Sequence, residues 1–256
     1  WLLFGSTTMF DALLTCATLL AMLSLWSAAQ GPRRMAWVAL GAAVAFGVYA
    51  KGPVILLHVL PAAVTMPLWA GPARPSGPVL AKGLGLALLA ALLLVGLWLV
   101  PALILGGEEY RTEILWRQSG GRMVASFAHQ KPWWFFLALL PLIIWPFGWT
   151  RPGLPMLRPR RLLADPGTRL LALWAAGALT AFSLISGKQA HYLLPEMPAL
   201  ALMLAGGLPT RKWRRRDFWL ALPLLAALAA FSAAAAGLIP ALSTLHDPLP
   251  WWSLAL

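Results

Sequence analysis

Acidic residues are scarce in this chain: eight Asp and Glu stand against twenty Lys and Arg in 256 residues. Charge of both signs amounts to 11% of the residues, where a soluble domain carries roughly 25%. That is too little to cover a water-facing surface, so lipid must be part of the solvent. Cysteine is almost absent. The single Cys16 excludes an intrachain disulfide, and its place in an apolar run reads as packing. The four histidines are scattered, without zinc-site spacing. No Gly-x-Ser-x-Gly elbow, Walker loop or Rossmann glycine fingerprint occurs, which excludes nucleophile and nucleotide sites of those kinds. A net charge of +12 would suit nucleic acid. The basic residues, however, lie in short gaps between apolar blocks and build no basic domain. Nucleic acid is therefore not expected as a partner, and membrane lipids with anionic headgroups are.

What the chain has in quantity is apolar length: 60% of its residues are hydrophobic and the mean hydropathy is +0.75. A helix needs ~20 residues to cross ~30 Å of hydrocarbon. Eight spans can be drawn on that scale, at 8–30, 35–50, 53–70, 83–106, 132–150, 169–187, 190–208 and 218–240. The expected fold is all-α, a polytopic transmembrane helix bundle, with 1–256 as one transmembrane domain and 107–131 as its longest outer loop. The second and third spans are short and meet at Ala50-Lys51-Gly52-Pro53, a lysine beside two helix breakers. That reads as a tight turn at one membrane face. One long kinked helix is the rival, but 35–70 is too long for a single crossing.

The basic residues fall in alternate gaps. Arg33 and Arg34, Arg74 and Lys82, five residues from Arg151 to Arg169 and five from Arg211 to Arg216 make fourteen of the twenty. The other gaps hold Lys51, Arg111, Arg117, Arg122, Lys131 and Lys188. The excess of Lys and Arg marks the cytoplasmic side, so the second set faces outward. The chain begins at Trp1 without a signal-peptide layout and stops in Trp251–Leu256, which reads like the start of another span. A piece of a longer protein is expected.

Polar residues on the outer side are the candidates for chemistry. The stretch 109–118 reads as a short interfacial helix with Glu113 and Arg117 paired at i,i+4, ended by Gly120-Gly121. Arg122 then follows unobstructed backbone, suited to a phosphate or simply to solvent. If helical, Lys188, His191 and Tyr192 share one face and can donate to an anion, although lysine and tyrosine are also ordinary interfacial anchors. Glu196, between Pro195 and Pro198, should face protein as the partner of a base or as a neutral acid. Asp11 begins the first span, as a helix-start acid or as a partner of Lys51 or of a substrate hydroxyl. His58, inside a span, reads as packing. With no nucleotide motif, a donor on this side would be lipid-linked.

Four segments then carry a family resemblance. Leu115-Trp-Arg-Gln-Ser-Gly-Gly-Arg122 through Phe127-Ala-His-Gln-Lys-Pro-Trp-Trp134 resembles the long outer loop of bacterial family 39 glycosyltransferases, relatives of the lipid A aminoarabinose transferase and of protein O-mannosyltransferases. Ser183-Leu-Ile-Ser-Gly-Lys-Gln-Ala-His-Tyr-Leu-Leu-Pro195 is similar to that family's Lys-x-x-His-Tyr-Leu-Leu-Pro segment. Ala50-Lys-Gly-Pro53 and Met9-Phe-Asp-Ala-Leu-Leu14 fit the family's order along the chain. The resemblance implies a GT-C bundle with an outer-face site, a polyprenyl-phosphate sugar as donor and a lipid, glycan or protein acceptor. It implies that Arg122, Lys188, His191 and Tyr192 hold the donor phosphate, and that Asp11, Lys51, Arg117 and His129 position substrate. No resident cofactor is identified; a divalent cation is the one candidate. The family's acidic Asp-Glu motif, its general base, belongs to an outer loop that would lie upstream of Trp1. A chain truly this short is expected to lack transferase activity. The rival readings are a polyprenyl-lipid transporter or flippase and a non-catalytic membrane scaffold.

Overall fold

The structure is a computed structural model that describes residues 10–31, 33–112, 131–185, 187–206, 214–220 and 222–235. Among these the elements are helices, with no strand. Helix α1 (Phe10–Ala29) contains neither glycine nor proline, and it is the centre of the bundle. Its small residues Ala17, Ala21, Ala28 and Ala29 are buried and let neighbouring backbones come close. Thr15 and Thr18 lie on the same inward side and donate back to the Asp11 and Leu14 carbonyls, at 2.7 and 2.8 Å. Their hydroxyls are thus satisfied without water.

Helix α2 (Arg34–Lys51) packs against α1 on one side and against α5 (Gly77–Leu105) on the other. The second contact is glycine-mediated. A Cβ on Gly41 would stand 2.3 Å from the Ala87 carbonyl oxygen, and one on Gly83 would overlap the Trp37 indole. The opposite face of α5 exposes Leu88, Leu89, Leu92, Leu93 and Leu97, a lipid-facing surface.

The chain reverses at Lys51-Gly52-Pro53. Gly52 has φ +76°, a conformation that glycine adopts without strain, and Pro53 opens a 3-10 turn, Gly52–Val54. After it come α3 (Ile55–Val64) and the short α4 (Met66–Trp69). Ile55 returns against Gly47, whose missing Cβ leaves the room. Lys51 meets Asp11 at the start of α1, and Trp69 stacks on Trp26 near its end, 6.2 Å between ring centres. Residues 52–69 therefore run back along α1, and the expected tight turn is present rather than one kinked rod.

Helix α6 (Gly107–Thr112) follows α5, and Arg111 folds back to donate to the Leu103 and Ile104 carbonyls. These are carbonyls that the end of α5 leaves without helical donors. Then come α7 (Phe135–Ile143), α8 (Pro159–Leu162) and α9 (Pro166–Leu184). Asp165 caps α9 in a reciprocal box with Thr168, and Pro166 occupies its first turn. Against α3, α9 comes close where Gly177 faces the Pro61 ring. A seven-residue 3-10 segment, Ala190–Glu196, leads into α10 (Met197–Ala205); α11 (Arg215–Trp219) and α12 (Leu222–Ala235) are the last described elements.

By length and apolar composition, four helical runs among the described residues could cross a membrane: Phe10–Ala29, Arg34–Val64, Gly77–Leu105 and Pro166–Leu184, the second of which contains the reversal at Lys51-Gly52-Pro53. The chain is an integral membrane helix bundle, but the eight expected crossings are not each one long helix. Pro141 lies within α7 and Pro146 just beyond it, Pro67 sits at the α3–α4 break, and Pro195 falls just before α10. Each removes a backbone donor and shortens the helix around it. The ends of the bundle sort by charge as expected. At one end Arg169 donates to the Leu68 carbonyl, and the buried Asp217 carboxylate accepts from the backbone of Arg151 and Arg214. That carboxylate ties two of the arginine-rich gaps together. The other end carries Asp11, Lys51, His191 and Tyr192.

Candidate functional site

The sparsely basic end of the bundle gathers four of the expected site residues from three parts of the chain. Asp11 stands in the first turn of α1 and Lys51 in the last turn of α2. Because α1 and α2 are antiparallel neighbours, these two ends coincide. The Lys51 ammonium reaches the Asp11 carboxylate at 2.5 Å; Asp11 is buried and Lys51 partly open. Of the alternatives for Asp11, pairing with Lys51 is the one the structure adopts. The same ammonium lies 5.3 Å from the centre of the Tyr192 ring, within cation–π range. His191 meets that ring edge-on at 5.0 Å.

His191 lies ahead of α10 and outside the four long apolar runs. Burial holds its imidazole below the ordinary value of 6.5; the Asp11 carboxylate draws it upward and the Lys51 ammonium pushes it down. At neutral pH it is therefore an uncharged ring with one N–H donor and one acceptor nitrogen.

Lys188 is placed differently from the expectation. Lys188, His191 and Tyr192 do not share an α-helical face. Gln189 is extended, and the segment from Ala190 is a 3-10 helix. The cause is local. An α-helix through 190–196 would need the Pro195 nitrogen to donate to the His191 carbonyl, and proline has no proton there. Lys188 is buried, and its ammonium donates to the Lys131 carbonyl at 3.0 Å and to the Ile185 carbonyl. It fastens the end of the outer loop to the end of α9. Arg117, Arg122 and His129 lie outside the described residues, as do Glu113 and most of the 109–118 stretch.

Beneath the cluster is a buried layer that the sequence reading did not assemble. His58 Nδ1 lies 2.6 Å from Glu196 Oε1, and both side chains are almost wholly enclosed. His58 is more than packing, and Glu196 is the partner of a base. The Phe182 ring fills the space between this pair and the site, 4.9 Å from His58 and 5.8 Å from Tyr192. One signal for the pair was present in the sequence. Two ionisable side chains within apolar spans need polar partners.

No group of three or more His, Cys, Asp or Glu among the described residues can hold a metal ion. The one acid of the outer cluster is paired with Lys51.

No family model matches the chain, and no solved structure does. Curated proteins do. An undecaprenyl phosphate-alpha-4-amino-4-deoxy-L-arabinose arabinosyl transferase of Erwinia tasmaniensis is 30% identical over 206 residues, 78% of this chain and 36% of that protein. One of Pseudomonas aeruginosa is 33% identical over 199 residues, 75% of this chain and 35% of its own length. A third, of Pseudomonas fluorescens, is 31% identical over 201 residues, 75% of this chain and 33% of its own. The chain spans about a third of the length of the curated relatives it matches. The resemblance read from its four short segments thus extends over three-quarters of the sequence, and the chain is related to the undecaprenyl-phosphate aminoarabinosyl transferases.

Proposed function

We propose that this chain is part of an integral membrane glycosyltransferase that moves a sugar from a polyprenyl-phosphate donor to a lipid, glycan or protein acceptor, on the periplasmic face of a bacterial inner membrane. The observation that carries the reading is the meeting of Asp11, Lys51, His191 and Tyr192 at the end of the bundle poor in basic loops. The similarity to arabinosyl transferases, whose name specifies an undecaprenyl-phosphate-linked sugar, supports the donor class.

The chemistry suits the residues. An acceptor oxygen forms a bond to the anomeric carbon while the bond from that carbon to the phosphate oxygen breaks. The bonding pair leaves with the phosphate, which gains negative charge. Donors already aimed at that oxygen lower the barrier, because they need no reorganisation as the charge appears. Lys51 supplies an ammonium held in place by Asp11 and the Tyr192 ring, with further N–H donors to spare. A neutral His191 can donate from one nitrogen. Arg122 belongs to the same phosphate-holding set in this reading, and Arg117 and His129 to substrate positioning. In this reading the general base is the acidic Asp-Glu motif that the family resemblance places ahead of Trp1.

Reconstitution of the full-length protein into vesicles with a polyprenyl-phosphate sugar labelled in the sugar tests the reading. Label transferred to a lipid or glycan acceptor is the expected result. Label carried across the membrane without any transferred product would replace the transferase with a transporter.

A further inference from the structure

We infer that the buried His58–Glu196 pair is the positioning device of the outer site: it pins the 190–196 turn so that His191 and Tyr192 meet Lys51 and Asp11. This deepens the transferase reading and rests on it for its effect on donor binding.

The need for a pin follows from the backbone. A 3-10 helix has poorer hydrogen-bond geometry than an α-helix and rarely persists beyond 3–4 residues. Ala190–Glu196 runs for seven with Pro195 inside it, so its own hydrogen bonds do not fix its place. Glu196 is its last residue, about one turn beyond Tyr192, and its carboxylate is held by a side chain from a different helix. His58 is buried on α3, the helix that begins directly after the Lys51 turn. The histidine is therefore tied by a short rigid path to Lys51, and by its hydrogen bond to the segment that carries His191 and Tyr192.

A second line of contact runs in parallel. The His58 ring packs on Phe182, and Phe182 packs on Tyr192. The Lys51 ammonium lies against the same tyrosine ring. Moving His58 or Glu196 thus shifts the surface on which Tyr192 rests.

The cost of the pair indicates that its role is specific. Among the described residues its other carboxylate oxygen, Glu196 Oε2, is buried and has no hydrogen-bond partner. Glu196 also borders an apolar cavity of about 410 Å³ between α7, α9 and α10, lined by Leu140, Leu173, Leu179 and Leu200 among others. An unsatisfied carboxylate oxygen against hydrocarbon is destabilising, and two apolar residues of matching shape would be cheaper. Bulk packing does not require a histidine and a glutamate here; a directional contact between α3 and the 3-10 turn does.

The test uses the full-length protein with four variants: Glu196→Ala, Glu196→Gln, His58→Ala and the double change His58→Phe with Glu196→Leu. The readouts are KM and kcat for a polyprenyl-phosphate donor and hydrogen–deuterium exchange over 190–196. Glutamine can still accept from Nδ1–H, so Glu196→Gln should stay near wild type in both. Each alanine variant should raise the donor KM by up to about tenfold, the worth of one lost hydrogen bond, with the larger effect on KM than on kcat. Exchange at 190–196 should quicken while that of α1 does not. The double variant restores apolar packing without the directional bond, and it should fold yet keep the raised KM and the faster exchange. Wild-type KM and wild-type exchange in folded alanine or double variants would overturn the inference. If the wild-type protein transfers no sugar, the transferase reading fails. The exchange data then decide the pinning by themselves: quickened exchange in the alanine variants upholds it, and unchanged exchange rejects it.

Discussion

The Lys51 ammonium stands 2.5 Å from the Asp11 carboxylate and 5.3 Å from the centre of the Tyr192 ring, so one side chain joins the start of α1, the end of α2 and the turn before α10. Asp11 is the more enclosed partner. Replacing Lys51 by Met leaves a buried carboxylate without its counter-charge, and a loss of folding stability on the order of 3 kcal/mol is expected. The double variant Asp11→Asn, Lys51→Met should recover much of it, because neither charge is then stranded. Thermal unfolding in one detergent, compared across the three proteins, checks this. Equal loss in the single and double variants would mean that the pair does not act as a unit.

His191 supplies a pH prediction. Burial, with Lys51, outweighs Asp11 and holds its pKa below 6.5 in the folded chain. The unfolded chain then binds the proton first as pH falls. This group's contribution to stability is complete above pH 6.5 and is lost as pH falls from there through the folded value. An NMR titration of the imidazole should show a midpoint below 6.5. Lys51→Met should move that midpoint upward and Asp11→Asn should move it downward. The reverse order would mean that His191 does not sit between those two charges.

The contact of α2 with α5 rests on hydrogen atoms where other residues have a Cβ. In Gly41→Ala the new methyl would meet the Ala87 backbone oxygen at 2.3 Å. Backbone cannot rotate away as a side chain tip can, so the two helices must separate. A cost of about 1–3 kcal/mol is expected, as for other overpacked sites. Gly85→Ala, on the partner helix α5 with open space around it, is the control and should be neutral or slightly stabilising. Unfolding midpoints that fall equally in both would contradict the close approach at Gly41.

At the opposite end, Asp165 caps α9. Partial burial raises its pKa, but donation from the Thr168 backbone and hydroxyl and the Gly167 backbone, with the charge of Arg169, outweighs it and leaves the value below 3.8. The cap's contribution is therefore present above that pH and lost as pH falls through the folded value. Asp165→Ala should cost about 1 kcal/mol at neutral pH. It should also flatten the acid limb of the stability curve, and an unchanged acid limb would count against the cap.

Membrane character and the Lys-Gly-Pro reversal were legible because each depends on local composition: apolar length and two helix breakers. Asp11 and Lys51 were legible as a pair because antiparallel neighbours bring the first turn of one helix to the last turn of the next. The rest depended on facts a one-dimensional reading weighs poorly. Pro195 turns an expected α-helical face into a 3-10 segment and sends Lys188 to the carbonyls of Lys131 and Ile185. His58 and Glu196 lie 138 residues apart. Glu196 was readable as a polar group in need of a partner and His58 only as packing, because their contact joins α3 to the 3-10 turn before α10 and no local pattern specifies it. Prolines likewise break several apolar stretches that hydropathy alone draws as whole spans.

The most direct measurement is the kcat/KM of the full-length protein for a polyprenyl-phosphate sugar, in His191→Ala and, as comparison, in Arg74→Ala at the far end of the bundle. The transferase account expects a fall of about a hundredfold for His191→Ala, the scale of one lost donor to a developing charge, and little change for Arg74→Ala. Equal turnover in both variants would show that the cluster of Asp11, Lys51, His191 and Tyr192 is not where the lipid-linked phosphate is held.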